Sequence, residues 1–501
     1  MKKSITKNYI YNLTYQILVL ILPLITTPYI SRVLGAENIG IYSYTLSISA
    51  YFILFGSLGV ALYGQREIAY NQENKKKYTV IFWEIIIFRA ITMAISMFVF
   101  YIAFVKGSQY QMYYKILLLE LLGNCIDISW FFQGLEEFKK TVLRNIIVKL
   151  ISVVSIFLFV KSPSDLYIYF WIYVLSILVG NGSLWLYLPK YLDKVKLKEL
   201  KIFRHLKPTI GLFVPQIAVQ VYTVLDRTMI GTIISDKSEV GFYDQSQKII
   251  KVVLAVITSL GTVMLPRIAN NFANGEKEKV NEYMKKSFNM VFFLAFPMIF
   301  GIIAVSENFV PIFFGQGYEK VAILMNVISP IILFIGLSNV TGTQYLLPTK
   351  RQKEYTISVI VGAIVNFIMN ACLIGKYGAV GASIGTVIAE FSVTAVQAYF
   401  VRKDFDLKEI VKLSKNYIIS SVIMFIVCIL IKNINAGKFA TLVIQVITGG
   451  ITYGICMLVL KDEFVYGSVE YLPLCSEYRI FEDDLTIPGM TKISIFKDCA
   501  L

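Results

Sequence analysis

Apolar runs of about 20 residues recur from one end of the chain to the other, separated by short polar segments. Each run is long enough to cross a hydrocarbon core roughly 30 Å thick as a helix. Fourteen spans are expected, near residues 11–31, 40–63, 79–105, 113–134, 142–161, 166–188, 209–233, 246–265, 288–314, 321–346, 355–374, 378–401, 415–432 and 439–460. The fold class is therefore all-α, a polytopic membrane protein. Short cytoplasmic loops are enriched in Lys and Arg. With Met1 inside, the inside segments (1–10, 64–78, 135–144, 189–208, 266–287, 347–354 and 402–415) carry 30 Lys and Arg, and the outside loops fewer than ten. Both ends of the fourteen-span region are expected on the cytoplasmic side. The first span keeps its polar residues and is followed by no small-residue cleavage site, so it reads as a retained helix and not a signal peptide.

Composition agrees with this. Among 501 residues, 56% are hydrophobic and only 16% charged, against about 25% charged in an average soluble domain. The net charge of +15 is accounted for by the loop asymmetry, which leaves nothing for a nucleic-acid partner to explain. Cys125, Cys372, Cys428 and Cys456 fall within spans and Cys475 and Cys499 in the tail; with no CxxC and no His/Cys cluster, no metal site or cofactor is expected. The single histidine, His205, reads as a solvated loop residue, and Glu84 as an interfacial one. No loop before residue 460 exceeds about two dozen residues or carries an acid–base constellation. No catalytic residue is expected, and function has to lie between the helices.

An internal relation gives the organisation. Residues 20–44, "LILPLITTPYISRVLGAENIGIYSY", resemble residues 212–245, "LFVPQIAVQVYTVLDRTMIGTIISDKSEVGFYDQ": Pro23 matches Pro215, and Ile39-Gly40-Ile41-Tyr42 matches Val240-Gly241-Phe242-Tyr243. Two six-span halves of the same orientation are the arrangement of parallel-repeat transporters, which bind near the midplane between halves. The expected division is 1–200 for the first bundle, 201–405 for the second, 406–460 for two extra helices, and 461–501 for an atypical polar tail.

Four motifs in order, "DISWFFQGLEEFKK" (127–140), "PQIAVQVYTVLDRTMIG" (215–231), "VGFYDQSQKIIKV" (240–252) and "GKYGAVGASIGTVIAE" (375–390), resemble the polysaccharide-unit flippases. These are the Wzx-type branch of the multidrug/oligosaccharidyl-lipid/polysaccharide exporter superfamily, and the resemblance runs from about residue 5 to 460. It implies a V-shaped pair of six-helix bundles that moves an undecaprenyl-pyrophosphate-linked sugar unit across a bacterial plasma membrane by alternating access, without making or breaking a bond. The partners it implies are that lipid-linked oligosaccharide, membrane lipids, and the polymerase and glycosyltransferases of the pathway. The tail departs from the family pattern.

Charges inside the spans are the candidate site, because a charge at the bilayer centre costs roughly 3 kcal/mol or more. Gln216, Gln220, Thr223 and Arg227 fall at i, i+4, i+7 and i+11 and form one polar stripe. Asp226, the neighbour of Arg227, points about 100° away and is expected to serve another face. Arg89, Lys149, Lys248 and Lys251 complete five cations suited to a pyrophosphate. Arg227, Lys248 and Lys251 lie toward the outer ends of their spans, where snorkelling to headgroups is the alternative. Arg89 is the deepest, and Lys149 lies nearer the cytoplasmic end. Glu120, Asp127, Asp226 and Glu390 form an acidic set: counter-ions, coupling-ion sites, or ion pairs that fix packing.

Other features read as structural. Trp130, Phe131 and Phe132 are expected in an aromatic belt at the membrane surface. Gly381 and Gly385 form a GxxxG contact, and Pro23, Pro215, Pro297 and Pro330 are expected to kink their spans. A drug exporter of the same superfamily is the first rival, disfavoured because residues 11–31 hold no Asp or Glu. A flippase for the peptidoglycan precursor carries the same kind of headgroup and stays open. A lipid-linked sugar polymerase or ligase would need a large outward loop, and none is present.

Overall fold

A computed structural model describes residues 5–432 and 437–462; nearly all of the expected tail lies outside them, as do the side chains of Gln216, Tyr222 and Thr262. The described chain is helical, with no strand: α1 (Ile5–Ser57), α2 (Val60–Tyr70), α3 (Lys75–Phe100), α4 (Gln111–Cys125), α5 (Ser129–Gly134), α6 (Phe138–Phe159), α7 (Leu166–Ser183), α8 (Leu206–Ile233), α9 (Ser238–Ala273), α10 (Lys277–Phe313), α11 (Glu319–Ile328), α12 (Ile331–Ser338), α13 (Gln352–Tyr377), α14 (Ala379–Val401), α15 (Leu407–Lys432) and α16 (Lys438–Val459). Among the described residues, 12 helical stretches are long and apolar enough to cross a membrane, which makes this a multi-span membrane protein. That tally differs from the expected fourteen for a local reason. The first two expected spans run on as one stretch, Leu18–Tyr70, and α8, with several side chains undescribed, is not in it. Within α1 the helix breaks at Gly35 (φ 78, ψ 168), a backbone conformation that a side chain would resist.

Breaks elsewhere follow their sequence causes. Pro330 separates α11 from α12, whereas Pro297 stays within an unbroken α10. Between α4 and α5, Asp127 Oδ1 accepts from the Ser129 amide at 2.9 Å and the Ser129 hydroxyl at 2.5 Å, a side-chain turn that holds the chain at the break. Large apolar side chains such as Leu186, Leu430 and Val459 stay exposed, as a lipid-facing surface requires.

Helix α1 is the seam of the molecule: it packs on α3, α4 and α6 and also on α8 and α9, while α15 and α16 pack on each other and on α10. The glycines matched by the internal repeat meet here. A Cβ on Gly40 would lie 1.7 Å from the Lys237 carbonyl oxygen and 3.1 Å from the Gly241 nitrogen; one on Gly241 would lie 2.1 Å from the Ala36 carbonyl oxygen. Backbone approach of this kind admits no side chain. The GxxxG pair acts likewise in α14, since a Cβ on Gly381 would meet the Leu373 carbonyl oxygen and one on Gly385 the Asn370 side chain, each at 2.5 Å.

Three surface expectations are corrected. Trp130, Phe131 and Phe132 are almost wholly buried and pack with Phe82, Tyr78 and Tyr191, a core and not a headgroup belt. Gly64 lets Trp130 in, since a Cβ there would lie 2.5 Å from the indole. Glu84 and His205 are also buried. His205 Nε2 sits 2.9 Å from Glu84 Oε2 and its Nδ1 2.7 Å from the Tyr63 hydroxyl, while the Lys201 amide donates to Glu84 Oε1 at 2.6 Å and Arg204 to Oε2. The basic segment before α8 is thereby tied to α2 and α3.

Candidate functional site

A cavity of about 810 Å³ lies among α1, α4, α6 and α7, with Gln220 of α8 also lining it. Four expected residues border it: Glu120, Asp127, Lys149 and Gln220. Its wall is rich in hydroxyls and amides, among them Tyr42, Tyr169, Tyr173, Asn124 and Asn145. Glu120 is buried and accepts from the Ser49 and Tyr173 hydroxyls, both at 2.8 Å; no cation is within ion-pair distance of it among the described residues. Lys149 lines the cavity, and among the described residues its ammonium has no acidic partner.

Arg144, assigned to a loop by hydropathy, points into the same cavity. It donates to Asn181 Oδ1 at 2.7 Å and to the Ser129 hydroxyl at 2.8 Å, and that hydroxyl bonds Asp127. Arg144 and Lys149 thus share one cavity wall, with Asp127 held one hydroxyl away from the guanidinium.

Arg89 lies elsewhere. It is 3% exposed, does not border the cavity, and its Nη1 donates to the Asp127 backbone carbonyl at 2.8 Å. Its depth, which drew attention in the sequence, is used to hold the α4–α5 break.

A second group forms where α8 meets α9. Arg227 Nε lies 3.3 Å from Asp244 Oδ1, and Lys248 Nζ lies 2.9 Å from Asp244 Oδ2. Lys251 lies within electrostatic range of Arg227, Asp244, Asp226 and Lys248. Three cations therefore stand against two carboxylates, the ion-paired Asp244 and the more remote Asp226, which leaves an excess of positive charge. Asp244 also acts electrostatically on Tyr169, a residue of the cavity wall, while none of Arg227, Asp244, Lys248 and Lys251 itself lines that cavity. Asp244 escaped the sequence reading because it falls just before the span that was expected to begin at 246.

Among the described residues Asp226 makes no ion pair, although it lies within electrostatic range of Lys251. It is 6% exposed; Asn366 and Asn370 donate to Oδ1 at 3.1 and 2.6 Å, Thr386 meets Oδ2 at 3.0 Å, and the Tyr243 hydroxyl donates to Oδ2. Gln247 in turn donates to the Tyr243 oxygen at 2.8 Å. Every partner is neutral, and among the described residues no cation pairs with it. The signal for this cluster was available: two asparagines four apart in α13, an otherwise apolar helix, share one face.

The remaining expected residues, Thr223 and Glu390, share a smaller cavity of about 300 Å³ with Asn339, Tyr355 and Gln397. Helix α8 therefore stands between two cavities, with Gln220 bordering one and Thr223 the other. Among the described residues no group of three or more His, Cys, Asp or Glu could hold a metal ion.

Comparison with known proteins places these features in context. The profile of the family described as polysaccharide biosynthesis protein matches residues 5–272, and that of the MatE family matches residues 212–372. A putative O-antigen transporter of Escherichia coli K12 is 27% identical over 418 residues, covering 80% of this chain and 98% of its own length. The capsular polysaccharide biosynthesis protein CapF of Staphylococcus aureus is 21% identical over 411 residues, covering 80% of this chain and 100% of its own. Among solved structures, the lipid II flippase MurJ in an inward closed conformation superposes with a TM-score of 0.69 at 18% identity, over 91% of this chain and 100% of that one. An inward-facing MATE family transporter of the MOP superfamily gives 0.61 at 13% identity, over 79% and 95%. At these identities the structural likeness carries the fold.

Proposed function

The chain belongs to the polysaccharide biosynthesis protein family, in its Wzx-type branch of the MOP exporter superfamily, and from that premise we propose that it flips an undecaprenyl-pyrophosphate-linked oligosaccharide across the bacterial plasma membrane. The observation that carries this is the excess of cations over carboxylates around Asp244, within electrostatic range of Tyr169 in the wall of a polar cavity. A pyrophosphate is a compact polyanion, and Arg and Lys are the donors that hold such groups. In this reading Arg227, Lys248 and Lys251 take the pyrophosphate. The glycan lies along Gln220, the asparagines and the tyrosines of the cavity, where hydroxyls and amides can replace its hydration. Arg144 and Lys149 add charge for a further phosphate or an acidic sugar.

The two halves, 1–200 and 201–405, rock about the seam at α1 so that the cavity faces one side and then the other. No bond is made or broken, and the step needs only that the two conformations bind substrate and coupling ion differently. Asp226 is the candidate for the coupling ion. A buried carboxylate surrounded by amide and hydroxyl groups can take up a proton, or a sodium ion whose oxygen ligands those amides and hydroxyls supply, and it needs no rearrangement of an ion pair to do so.

A flippase for a lipid-linked peptidoglycan precursor would present the same headgroup, so the discriminating measurement varies the sugar. Purified protein in vesicles should translocate a fluorescent lipid-linked oligosaccharide, and Arg227→Gln or Lys248→Gln should lower the rate at least about tenfold, the loss of one charge-assisted contact. Lys432→Gln, which removes an exposed ion pair with Glu307, should leave it unchanged. Transport of the peptidoglycan precursor but of no oligosaccharide repeat unit would overturn the assignment of substrate.

A further inference from the structure

Asp244 occupies the place that an anionic substrate would need. Its two oxygens are divided between Arg227 and Lys248 at 3.3 and 2.9 Å, its side chain is 5% exposed, and the Ser43 hydroxyl of α1 lies against it. The turn of α9 that carries it is part of the seam. Three residues earlier, Gly241 presses on the Ala36 carbonyl with no room for a Cβ. One residue later, Gln245 donates to the Ser31 hydroxyl at 3.0 Å, and the Tyr318 hydroxyl donates to the Ser31 carbonyl at 2.9 Å. Among the described residues no other carboxylate forms an ion pair with Arg227 or Lys248. Asp127 and Glu120 line the large cavity and Glu390 the smaller one, and Asp226 is held by neutral hydrogen-bond donors.

We infer that Asp244 is an internal stand-in for the substrate's anion: it neutralises Arg227 and Lys248 while the site is empty, and a bound pyrophosphate displaces it, which loosens the α1–α9 seam. This rests on the proposed anionic-headgroup reading. The physical reason is that one pair of cations cannot fully serve two anions. A carboxylate buried with only the Ser43 hydroxyl for a partner is far less favourable than one paired with two cations. It gains by moving to where water can reach it, and the α9 turn that carries it also carries Gly241 and Gln245. Substrate binding thereby favours opening of the end that this seam closes. Once the substrate leaves, Asp244 returns to the cations and the seam reforms, so an empty carrier resets without retaining its cargo.

The test uses the full chain in detergent with inorganic pyrophosphate as the probe, its binding followed by calorimetry. Asp244→Asn, which keeps the shape and removes the competing charge, is expected to bind pyrophosphate about tenfold or more tightly than wild type. Asp244→Glu should stay near wild type, and Asp244→Asn combined with Arg227→Gln should lose the gain. A residue that merely supports the fold would weaken binding when changed. A second measurement needs no change at Asp244. In a background otherwise lacking cysteine, Ser31→Cys should react faster with a membrane-impermeant thiol reagent when pyrophosphate is present. If wild type binds pyrophosphate but Asp244→Asn binds it no tighter, or if Ser31→Cys labelling does not respond, the stand-in role is overturned while the headgroup reading survives. If no form of the protein binds pyrophosphate, both fall.

Discussion

Arg227 pairs with Asp244, 3.3 Å away on the next helix, and not with Asp226, its neighbour in the chain. Adjacent residues on a helix diverge by about 100°, and here the two directions lead to different chemistry. Arg227 faces a cation-rich group at the α8–α9 contact, and Asp226 a nest of neutral donors from α9, α13 and α14.

A charge exchange between the two should therefore fail. Asp226→Arg combined with Arg227→Asp puts a guanidinium among groups arranged to donate and a carboxylate beside Asp244. Vesicle transport is expected to be at least as low in the double variant as in either single one, and restored transport would show a simple exchangeable pair. Asp226→Asn alone, which keeps the volume, should abolish the dependence of transport on an imposed proton or sodium gradient.

Gly40→Ala and Gly241→Ala should each prevent closure at the seam, because the added methyl would lie 1.7 or 2.1 Å from a backbone carbonyl oxygen. The expected outcome is a protein that inserts and binds but does not cycle, with Ser31→Cys in the same chain labelled by impermeant reagent whether or not substrate is present. Normal transport by either variant would mean that the two helices need not approach this closely.

Arg89 does not line the large cavity and donates to the Asp127 carbonyl, which sets support of the α4–α5 break against substrate binding as the role to test. Arg89→Ala leaves the Asp127 carbonyl at the α4–α5 break without its donor, a loss of about 1.5–3 kcal/mol for a hydrogen bond from a charged group. Thermal unfolding in detergent should show the loss, Arg89→Lys should recover part of it, and transport per folded molecule should change little. A transport defect with unchanged stability would return Arg89 to the site.

Burial lowers the His205 imidazole from its ordinary value, against the opposing pull of Glu84. A base held low in the folded state is protonated first in the unfolded one. Stability is therefore fully present above about pH 6.5, the ordinary histidine value, and falls as the pH drops below it. His205→Gln should flatten that part of the thermal stability profile, and a wild-type profile that is level between about pH 7 and 5 would show that Glu84 compensates fully.

How much of this was legible can be judged from particular residues. The apolar runs gave the helical membrane class, because crossing a hydrocarbon core depends on local length and hydropathy. Gly381 and Gly385 announced close packing because small residues at four-residue spacing have that one steric consequence. Gly40 and Gly241 were visible as a repeat, although nothing in the chain said that they press on each other's helices. Asn366 and Asn370 could have been found as buried amides on one face of α13.

The rest depended on distance in space. Glu84, His205 and Trp130 look like surface residues in a hydropathy reading, and they are buried because partners more than a hundred residues away, or a glycine on another helix, receive them. Arg144 and Asp244 sit at the ends of apolar runs, where hydropathy cannot tell a loop charge from one that turns inward. The chain by itself determined the helical membrane class, which follows from composition summed over neighbouring residues, and its motifs carried the resemblance to the family. Only the tertiary structure decided which charges face each other, because a Coulomb or hydrogen-bond partner is selected by a few ångströms of separation, and those ångströms are set by how the helices pack.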